Sequence, residues 1–191
     1  MKVGFTGTRN RMTDIQVKIF VYLFTGFREF DKKITEFYLG DCIGADQQSG
    51  HLVFKHAKNP IKCYLLPSDI PDMQGHLENH YPCIRLPEKP PLQRNEDLVY
   101  FIEVLFAAPK ESENQTRSGT WQTIRCAKRQ CKVIYIIYPD GKVEFIDEKG
   151  MSYDVTPTKC PVCKSFNFHQ VQDNQFPIME CDDCKERWLS D

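Results

Sequence analysis

Short apolar segments alternate with helical patterns over residues 1–139, and this alternation constrains the fold more than any other feature of the chain. Five apolar segments predict strands, and four intervening segments with apolar residues three or four positions apart predict helices. Such alternation is typical of an α/β fold, a parallel sheet sandwiched by helices. Right-handed crossovers predict the strand order 3-2-1-4-5 and place the carboxyl ends of all five strands along one edge.

Predicted strands and helices alternate with short connections as far as residue 66. Thr13 and Gln16 form a capping box that predicts the start of the first helix. Prolines interrupt residues 67–93, which we interpret as a long excursion with a short helix near 72–79. The predicted strands are 2–6, 36–39, 61–66, 104–108 and 132–138, and the predicted helices are 14–27, 45–58, 94–101 and 118–130. These segments predict a first domain over 1–141, followed by one or two connecting strands in 142–155.

The composition argues against a disordered, a strongly basic or a membrane-spanning protein. Hydrophobic residues make up 41% and charged residues 27% of the chain, as in globular rather than disordered proteins. The net charge of -1 provides no strong basic field for nucleic acid. No apolar run approaches the roughly 20 residues that span a bilayer, and the N-terminal residues lack the pattern of a signal peptide. We therefore expect a cytoplasmic protein with no membrane partner.

Two Cys-x-x-Cys pairs lie in the last part of the chain. Cys160 and Cys163 form the first pair, and Cys181 and Cys184 form the second. Paired cysteines at this spacing are typical of a four-thiolate zinc site, which has no open coordination position and is structural. We therefore predict a zinc ribbon over 156–191 that binds one Zn²⁺. The alternative is two independent redox pairs or metal-free thiols.

Four glycine-containing or polar segments follow the predicted strand ends or begin helices. Glycine lets a backbone approach a ligand closely, and a helix start offers free N–H groups to an anion such as phosphate. Arginines can add charge-assisted hydrogen bonds, and aspartates can accept hydrogen bonds from ribose hydroxyls. The predicted ligand-binding residues are Gly7, Thr8, Arg9, Gly40, Asp41, Gly44, Asp46, Arg94, Asn95, Arg117, Ser118, Gly119 and Thr120.

Each of these residues also has a purely structural interpretation. Asp46 and Ser118 can simply cap their helices, and Gly7 can serve a turn. The convergence of four such segments on one sheet edge favours a shared ligand site over four coincidences. The spacing of Gly4 and Gly7 is not that of the G-x-G-x-x-G motif, so an intact dinucleotide in the usual dehydrogenase pose is not expected.

These motifs resemble those of a known superfamily. GFTGTR at 4–9, GDCIGAD at 40–46, RNEDLV at 94–99 and RSGTWQTIRCA at 117–127 together resemble the SLOG superfamily of Rossmann-like nucleotide-binding domains. Its members include the lonely-guy phosphoribohydrolases and the DNA-processing protein A. The resemblance covers residues 2–139 and implies binding of a nucleotide or nucleotide derivative, with the S-G-T-W-type loop on phosphate.

The sequence departs from the phosphoribohydrolases at one functional position. Those enzymes carry a P-G-G-x-G-T loop followed closely by a catalytic glutamate, whereas this chain has Gln122 and Thr123 there. Cleavage of a glycosidic bond needs a carboxylate near the anomeric carbon. The remaining candidates for such a catalytic group are Asp41, Asp46 and Glu103.

We therefore expect a sensor or sequestering module for a nucleotide-derived small molecule, rather than an enzyme. An N-glycosidase or phosphoribohydrolase acting on nucleoside monophosphates is the first alternative. A single-stranded nucleic-acid-binding protein is the second, with a local basic face at Arg117, Arg125, Lys128, Arg129 and Lys132. The sequence leaves open whether the zinc ribbon binds a protein or nucleic-acid partner, and whether the chain assembles into a homo-oligomer.

Overall fold

The chain consists of two compact units, Met1–Val155 and Thr156–Asp191. The computed structural model describes residues 1–26, 34–57, 59–157, 168–172, 177–181, 183–185 and 187–189. Cys160 and Cys163, the first predicted pair of zinc ligands, lie outside the described residues. So do residues 27 and 58, where two of the predicted helices were expected to end.

The first unit is built on one eight-stranded sheet. Its strands are β1 (Lys2–Gly7), β2 (Glu36–Leu39), β3 (Lys62–Leu65), β4 (Cys83–Arg85), β5 (Val104–Ala108), β6 (Val133–Ile137), β7 (Val143–Ile146) and β8 (Ser152–Asp154). Their spatial order is β4-β3-β2-β1-β5-β6-β7-β8. The six strands from β4 to β6 are parallel, and β7 and β8 add to the β6 edge as antiparallel strands.

The predicted order of the five central strands is confirmed, but the predicted number of strands in the sheet is wrong. Strand β4 has only three residues and lies in the proline-rich excursion, too short for an alternating pattern to reveal it. The segment 142–155 does form two strands, and these extend the main sheet within the first unit.

The described residues of the first unit form four α-helices that cover the sheet, α1 (Asp14–Gly26), α2 (Ala45–His56), α3 (Pro91–Phe101) and α4 (Gly119–Arg129). The single short helix expected near 72–79 is instead two 3₁₀ turns, Pro71–Met73 and Leu77–Asn79. His76 stands between these turns in the left-handed region at φ 52°, a conformation that a continuous right-handed helix does not contain.

Aromatic side chains form the part of the core that packs on β1 and β5, the two strands in the middle of the sheet. Phe20 of α1 packs edge to face on Phe5 of β1 and Phe106 of β5, with ring centroids 5.2 and 5.5 Å apart. All three side chains are fully buried. This packing stabilises the central strands, whose carboxyl ends carry the loops described below.

The second unit contains a three-stranded antiparallel sheet, β9 (Phe168–Gln172), β10 (Pro177–Cys181) and β11 (Arg187–Leu189). Strand β10 lies between the other two. Cys184 lies in the turn after β10, and Lys185 follows it with a φ of 61°. Over the described residues of both units, every helix is too short or too polar to cross a membrane.

Candidate functional site

A cavity of about 400 Å³ lies at the carboxyl edge of the sheet, where β1, β2 and β5 end. The first turns of α3 and α4 complete its walls. The cavity therefore occupies the position where ligands bind in open α/β sheets. Eleven of the thirteen predicted ligand-binding residues line it, namely Gly7, Thr8, Arg9, Gly40, Asp46, Arg94, Asn95, Arg117, Ser118, Gly119 and Thr120.

The loop after β1 is held by hydrogen bonds within the protein. The Gly7 N–H donates to Asp46 Oδ1 at 3.0 Å, and the Thr8 N–H donates to the Ala108 carbonyl oxygen at 3.3 Å. A Cβ atom on Gly7 would lie 2.5 Å from the Ala45 Cβ, so only glycine permits this packing against α2. The amides of Gly7 and Thr8 are therefore already used within the protein.

Gly44 does not line the cavity, although it supports the loop that does. Its φ of +94° favours glycine, and a Cβ atom there would overlap the Arg9 carbonyl group. Next to it, the Ala45 N–H donates to the Thr8 carbonyl oxygen at 3.0 Å. Gly44 thus lets the start of α2 pack directly on the loop that carries Arg9.

Arg94 is a buried cation in the cavity wall. Its side chain belongs to α3, and its guanidinium donates to the Gly40 carbonyl oxygen, to Cys42 Sγ at 3.1 Å and to Asn95 Oδ1 at 3.1 Å. A Cβ atom on Gly40 would overlap the guanidinium, which explains the glycine at the end of β2. Within the described part of the chain, Arg94 Nε is buried without a hydrogen-bond acceptor.

Asp46 is a buried carboxylate in the same cavity. Burial raises the pKa of Asp46 to about 6, although the Arg94 guanidinium and amide hydrogen bonds from Cys42 and Gly7 favour the charged form. At neutral pH the carboxylate is therefore mostly ionised, and it gains a proton within a mildly acidic range. A carboxyl group with such a pKa is chemically suited to exchange protons near neutral pH.

The start of α4 presents unoccupied amides to the cavity. Ser118 is the N-cap residue, and its Oγ accepts a hydrogen bond from the Trp121 N–H at 3.4 Å. The N–H groups of Gly119 and Thr120 have no acceptor among the described residues. A Cβ atom on Gly119 would meet nothing within 4 Å. Free amides and the positive end of the helix dipole favour an anion here.

The charge of the lining also favours an anion. Four basic side chains, Arg9, Arg94, Lys110 and Arg117, face two acidic ones, Asp46 and Glu111. With these side chains ionised, the lining carries a net charge of +2, from four positive and two negative groups. The chain as a whole carries a net charge of -1, so positive charge is concentrated at the cavity.

Lys110 and Glu111 are lining residues that the motif analysis missed. They lie after Pro109, just beyond the end of β5, where the rule that ligands bind beyond strand ends would have pointed to them. Met73 also lines the cavity, and its sulfur accepts a hydrogen bond from Arg9 Nη2 at 3.5 Å. It comes from the irregular excursion, where no sequence pattern pointed to the cavity.

Two of the candidate catalytic residues lie elsewhere. The Asp41 carboxylate is fully buried against the excursion, where it accepts hydrogen bonds from the Leu77 N–H at 3.2 Å and from Arg85 at 3.1 Å. Glu103 precedes β5 and accepts from the Lys2 N–H at 3.2 Å, at the opposite edge of the sheet. Of the three candidates, only Asp46 lines the cavity.

The described residues contain no group of three or more His, Cys, Asp or Glu side chains placed to hold a metal ion. This finding does not extend to the predicted zinc site. Cys160 and Cys163 lie outside the described residues, and for Cys181 only the backbone is described.

Comparisons with known proteins gave a distant structural similarity and no sequence match. No protein-family model matches the sequence. A search of the curated proteins also found no match. Among solved structures, the chain is similar to TM1055, a target of the Northeast Structural Genomics Consortium determined by X-ray crystallography. The two are 13% identical with a TM-score of 0.47, over 70% of this chain and 71% of that one.

The raised pKa of Asp46 predicts a specific pH dependence of stability. Because the folded-state pKa lies above the ordinary value of 3.8, Asp46 stabilises the protein most at low pH, and this contribution is lost as the pH rises through about 6. A pKa raised from 3.8 to about 6 corresponds to about 3 kcal/mol. We expect the free energy of unfolding of the wild type, minus that of Asp46→Asn, to fall by that order between pH 4 and pH 7.

Urea denaturation of both proteins across this pH range measures the difference directly. Asparagine can still accept the hydrogen bond from the Gly7 N–H, so the variant isolates the charge. A difference that stays constant, or that grows with pH, would contradict the assignment of a raised pKa to Asp46.

Proposed function

We propose that residues 1–155 bind a nucleotide, or a nucleotide-derived phosphorylated ligand, in the cavity at the carboxyl edge of the sheet. The observation that carries this proposal is the start of α4, where the free amides of Gly119 and Thr120 meet a lining of net positive charge. The ligand phosphate would lie against these amides. Arg117 and Lys110, which also line the cavity, would add charge-assisted hydrogen bonds.

The rest of the lining suits the sugar and base of such a ligand. Asp46 and Thr8 provide oxygen atoms that can accept hydrogen bonds from ribose hydroxyls. Leu92, Met73 and Pro91 offer an apolar surface to the flat face of a base. The volume of about 400 Å³ lies within the roughly 300–1,000 Å³ typical of small-molecule pockets.

A binding role, as a sensor or a sequestering module, agrees best with the residue types in the first turn of α4. Gln122 occupies the region where the phosphoribohydrolases place their glutamate, and its Oε1 accepts a hydrogen bond from Asn95 Nδ2 at 2.8 Å. An amide in that place holds Asn95 in position but supplies neither a negative charge nor a proton acceptor of carboxylate strength.

An N-glycosidic hydrolase is the second candidate function, and two observations favour it. Asp46 has a pKa of about 6 within the cavity, and Glu111 lines the same cavity. A carboxylate near the anomeric carbon stabilises the oxocarbenium-like charge that develops as the glycosidic bond breaks. Asp46 is the first candidate for this catalytic carboxylate, although one of its oxygens already accepts a hydrogen bond from the Gly7 N–H.

We also propose that the second unit is a zinc ribbon. Cys160, Cys163, Cys181 and Cys184 would bind one structural Zn²⁺. The backbone around the second pair supports the proposal, since β10 ends at Cys181 and Cys184 lies in the following turn. The left-handed conformation of Lys185 at φ 61° turns the chain sharply beside that pair. The metal would compensate for the small core of such a unit.

A charge placed at the start of α4 tests the nucleotide proposal. Gly119→Asp puts a carboxylate into open space where the phosphate would lie, and we expect at least a tenfold loss of affinity for nucleoside 5′-monophosphates. Calorimetric titration with 5′-AMP, 5′-GMP, 5′-CMP and 5′-UMP measures this loss. The unliganded variant should keep its thermal stability, because an acidic residue in the first turn interacts favourably with the helix dipole.

Gly119→Asn is the matched control, since asparagine has the shape of aspartate without its charge. We expect Gly119→Asn to bind more tightly than Gly119→Asp. Equal affinities of wild type and Gly119→Asp for a nucleotide that binds would place the phosphate elsewhere. Absence of binding by the wild type to every nucleotide of the panel would contradict a mononucleotide site.

Elemental analysis tests the zinc proposal. Protein purified without chelator should contain one zinc ion per chain, and Cys181→Ser should lose most of it because three thiolates bind more weakly than four. Cys131→Ser removes an exposed cysteine of the first unit and should keep the full zinc content. Wild-type protein free of zinc, or a Cys181→Ser variant that retains it as tightly as the wild type, would contradict the four-thiolate site.

A further inference from the structure

Two cysteines outside the cavity lie side by side at the edge of the main sheet. Cys63 of β3 and Cys83 of β4 are paired in register in the parallel ladder. Residues in register on neighbouring strands are about 4.8 Å apart and project from the same face of the sheet. A disulfide requires Cα atoms roughly 4.4–6.8 Å apart. The backbone therefore already places this pair within bonding range.

The two thiols differ in their surroundings. Cys63 is 1% exposed, whereas Cys83 is only partly buried and belongs to the outermost strand of the sheet. The neighbouring Cys83 thiol and burial both raise the pKa of Cys63, whereas the neighbouring Cys63 thiol lowers the pKa of Cys83. Burial and the nearby carboxylates of Asp41 and Glu78 oppose the lowering at Cys83. Cys83 is therefore the thiol that a soluble disulfide can reach first, because it is the less buried of the two and its pKa is the one that is lowered.

The end of strand β4 is anchored by hydrogen bonds to the excursion and to the loop after β2. Arg85, the last residue of β4, donates from Nη1 to Asp41 at 3.1 Å and to Glu78 at 2.8 Å. Its Nη2 donates to Gln74 at 2.6 Å and to Glu88 at 3.2 Å. This anchoring keeps the two thiols in register at the sheet edge.

We propose that Cys63 and Cys83 form a reversible disulfide by exchange with a small-molecule disulfide such as oxidised glutathione. The Cys83 thiolate attacks one sulfur of glutathione disulfide, which forms a mixed disulfide and releases one glutathione thiolate. That thiolate takes the Cys63 proton, and the Cys63 thiolate then attacks Cys83 Sγ and releases the second glutathione as a thiolate. This thiolate takes up from water the proton that Cys83 had lost on ionising. The dithiol is oxidised to a disulfide, and one glutathione disulfide is reduced to two glutathione thiols.

Peptide mapping after equilibration with glutathione tests the proposal. The full-length protein is incubated at increasing ratios of oxidised to reduced glutathione, its remaining thiols are alkylated, and its peptides are identified by mass spectrometry. We expect a peptide linked through Cys63 and Cys83 to appear as the ratio rises and to vanish when dithiothreitol is added. Peptide assignment separates this link from oxidation of Cys160, Cys163, Cys181 and Cys184.

Single substitutions test the order of the two steps. Cys63→Ser should accumulate glutathione on Cys83, because the resolving thiol is missing. Cys83→Ser should leave the buried Cys63 unmodified under the same conditions. Cys131→Ser, at an exposed position, should form the Cys63–Cys83 link like the wild type. A wild-type protein whose Cys63 and Cys83 stay reduced at every ratio, or a Cys83→Ser variant that is modified at Cys63 instead, would overturn the proposal.

Discussion

The hydrogen bonds of the buried Arg94 guanidinium hold together the part of the molecule on which the cavity depends. They connect α3 to the backbone of Gly40 at the end of β2 and to Cys42 in the loop that follows. A buried cation is stable only when its charge is compensated. Here the Gly40 carbonyl oxygen accepts a hydrogen bond from Arg94, and the negative charge of Asp46 attracts the guanidinium. In turn, the charge of Arg94 opposes the burial that raises the pKa of Asp46.

This pair of buried charges organises the surrounding loops. Asp46 accepts the Gly7 N–H at the end of β1, so the same carboxylate that faces Arg94 also fixes the first loop. The loops after β1 and β2 are therefore held by contacts within the protein. By contrast, the start of α4 has donors that no described residue accepts from. The site thus combines loops that are held by internal hydrogen bonds with unsatisfied N–H groups at the start of α4, as expected where an anionic ligand completes the hydrogen bonding.

The sequence was most informative where regular structure and strand ends coincide. Val104–Ala108 was predicted to the residue because five consecutive apolar positions bounded by a proline favour a buried strand. Gly119 and Thr120 were identified as residues near the cavity because a helix that follows a parallel strand begins at the carboxyl edge of the sheet. Both inferences rest on local patterns that the topology preserves.

Prediction failed where tertiary contacts override local patterns. Asp41 lies just after β2 and Asp46 lies in the first turn of α2, so the sequence predicted both at the same ligand site. In the structure, Asp41 has a φ of 47°, and its carboxylate accepts a hydrogen bond from Arg85 of the excursion. Arg85 and Met73 come from a proline-rich segment whose path depends on contacts distant in sequence. No pattern of a single segment can report such contacts, which explains why β4 and these two residues were missed.

The central claim is that the cavity holds a phosphorylated nucleotide ligand without consuming it. The most direct measurement combines native mass spectrometry of the protein with nucleoside 5′-monophosphates and chromatography of the same mixture under excess nucleotide. The account predicts one intact nucleotide per chain and free base at no more than one equivalent. Continuous release of base that is lost in Asp46→Asn would contradict the binding role and favour the hydrolase. Failure to retain any phosphorylated nucleotide would contradict the site itself.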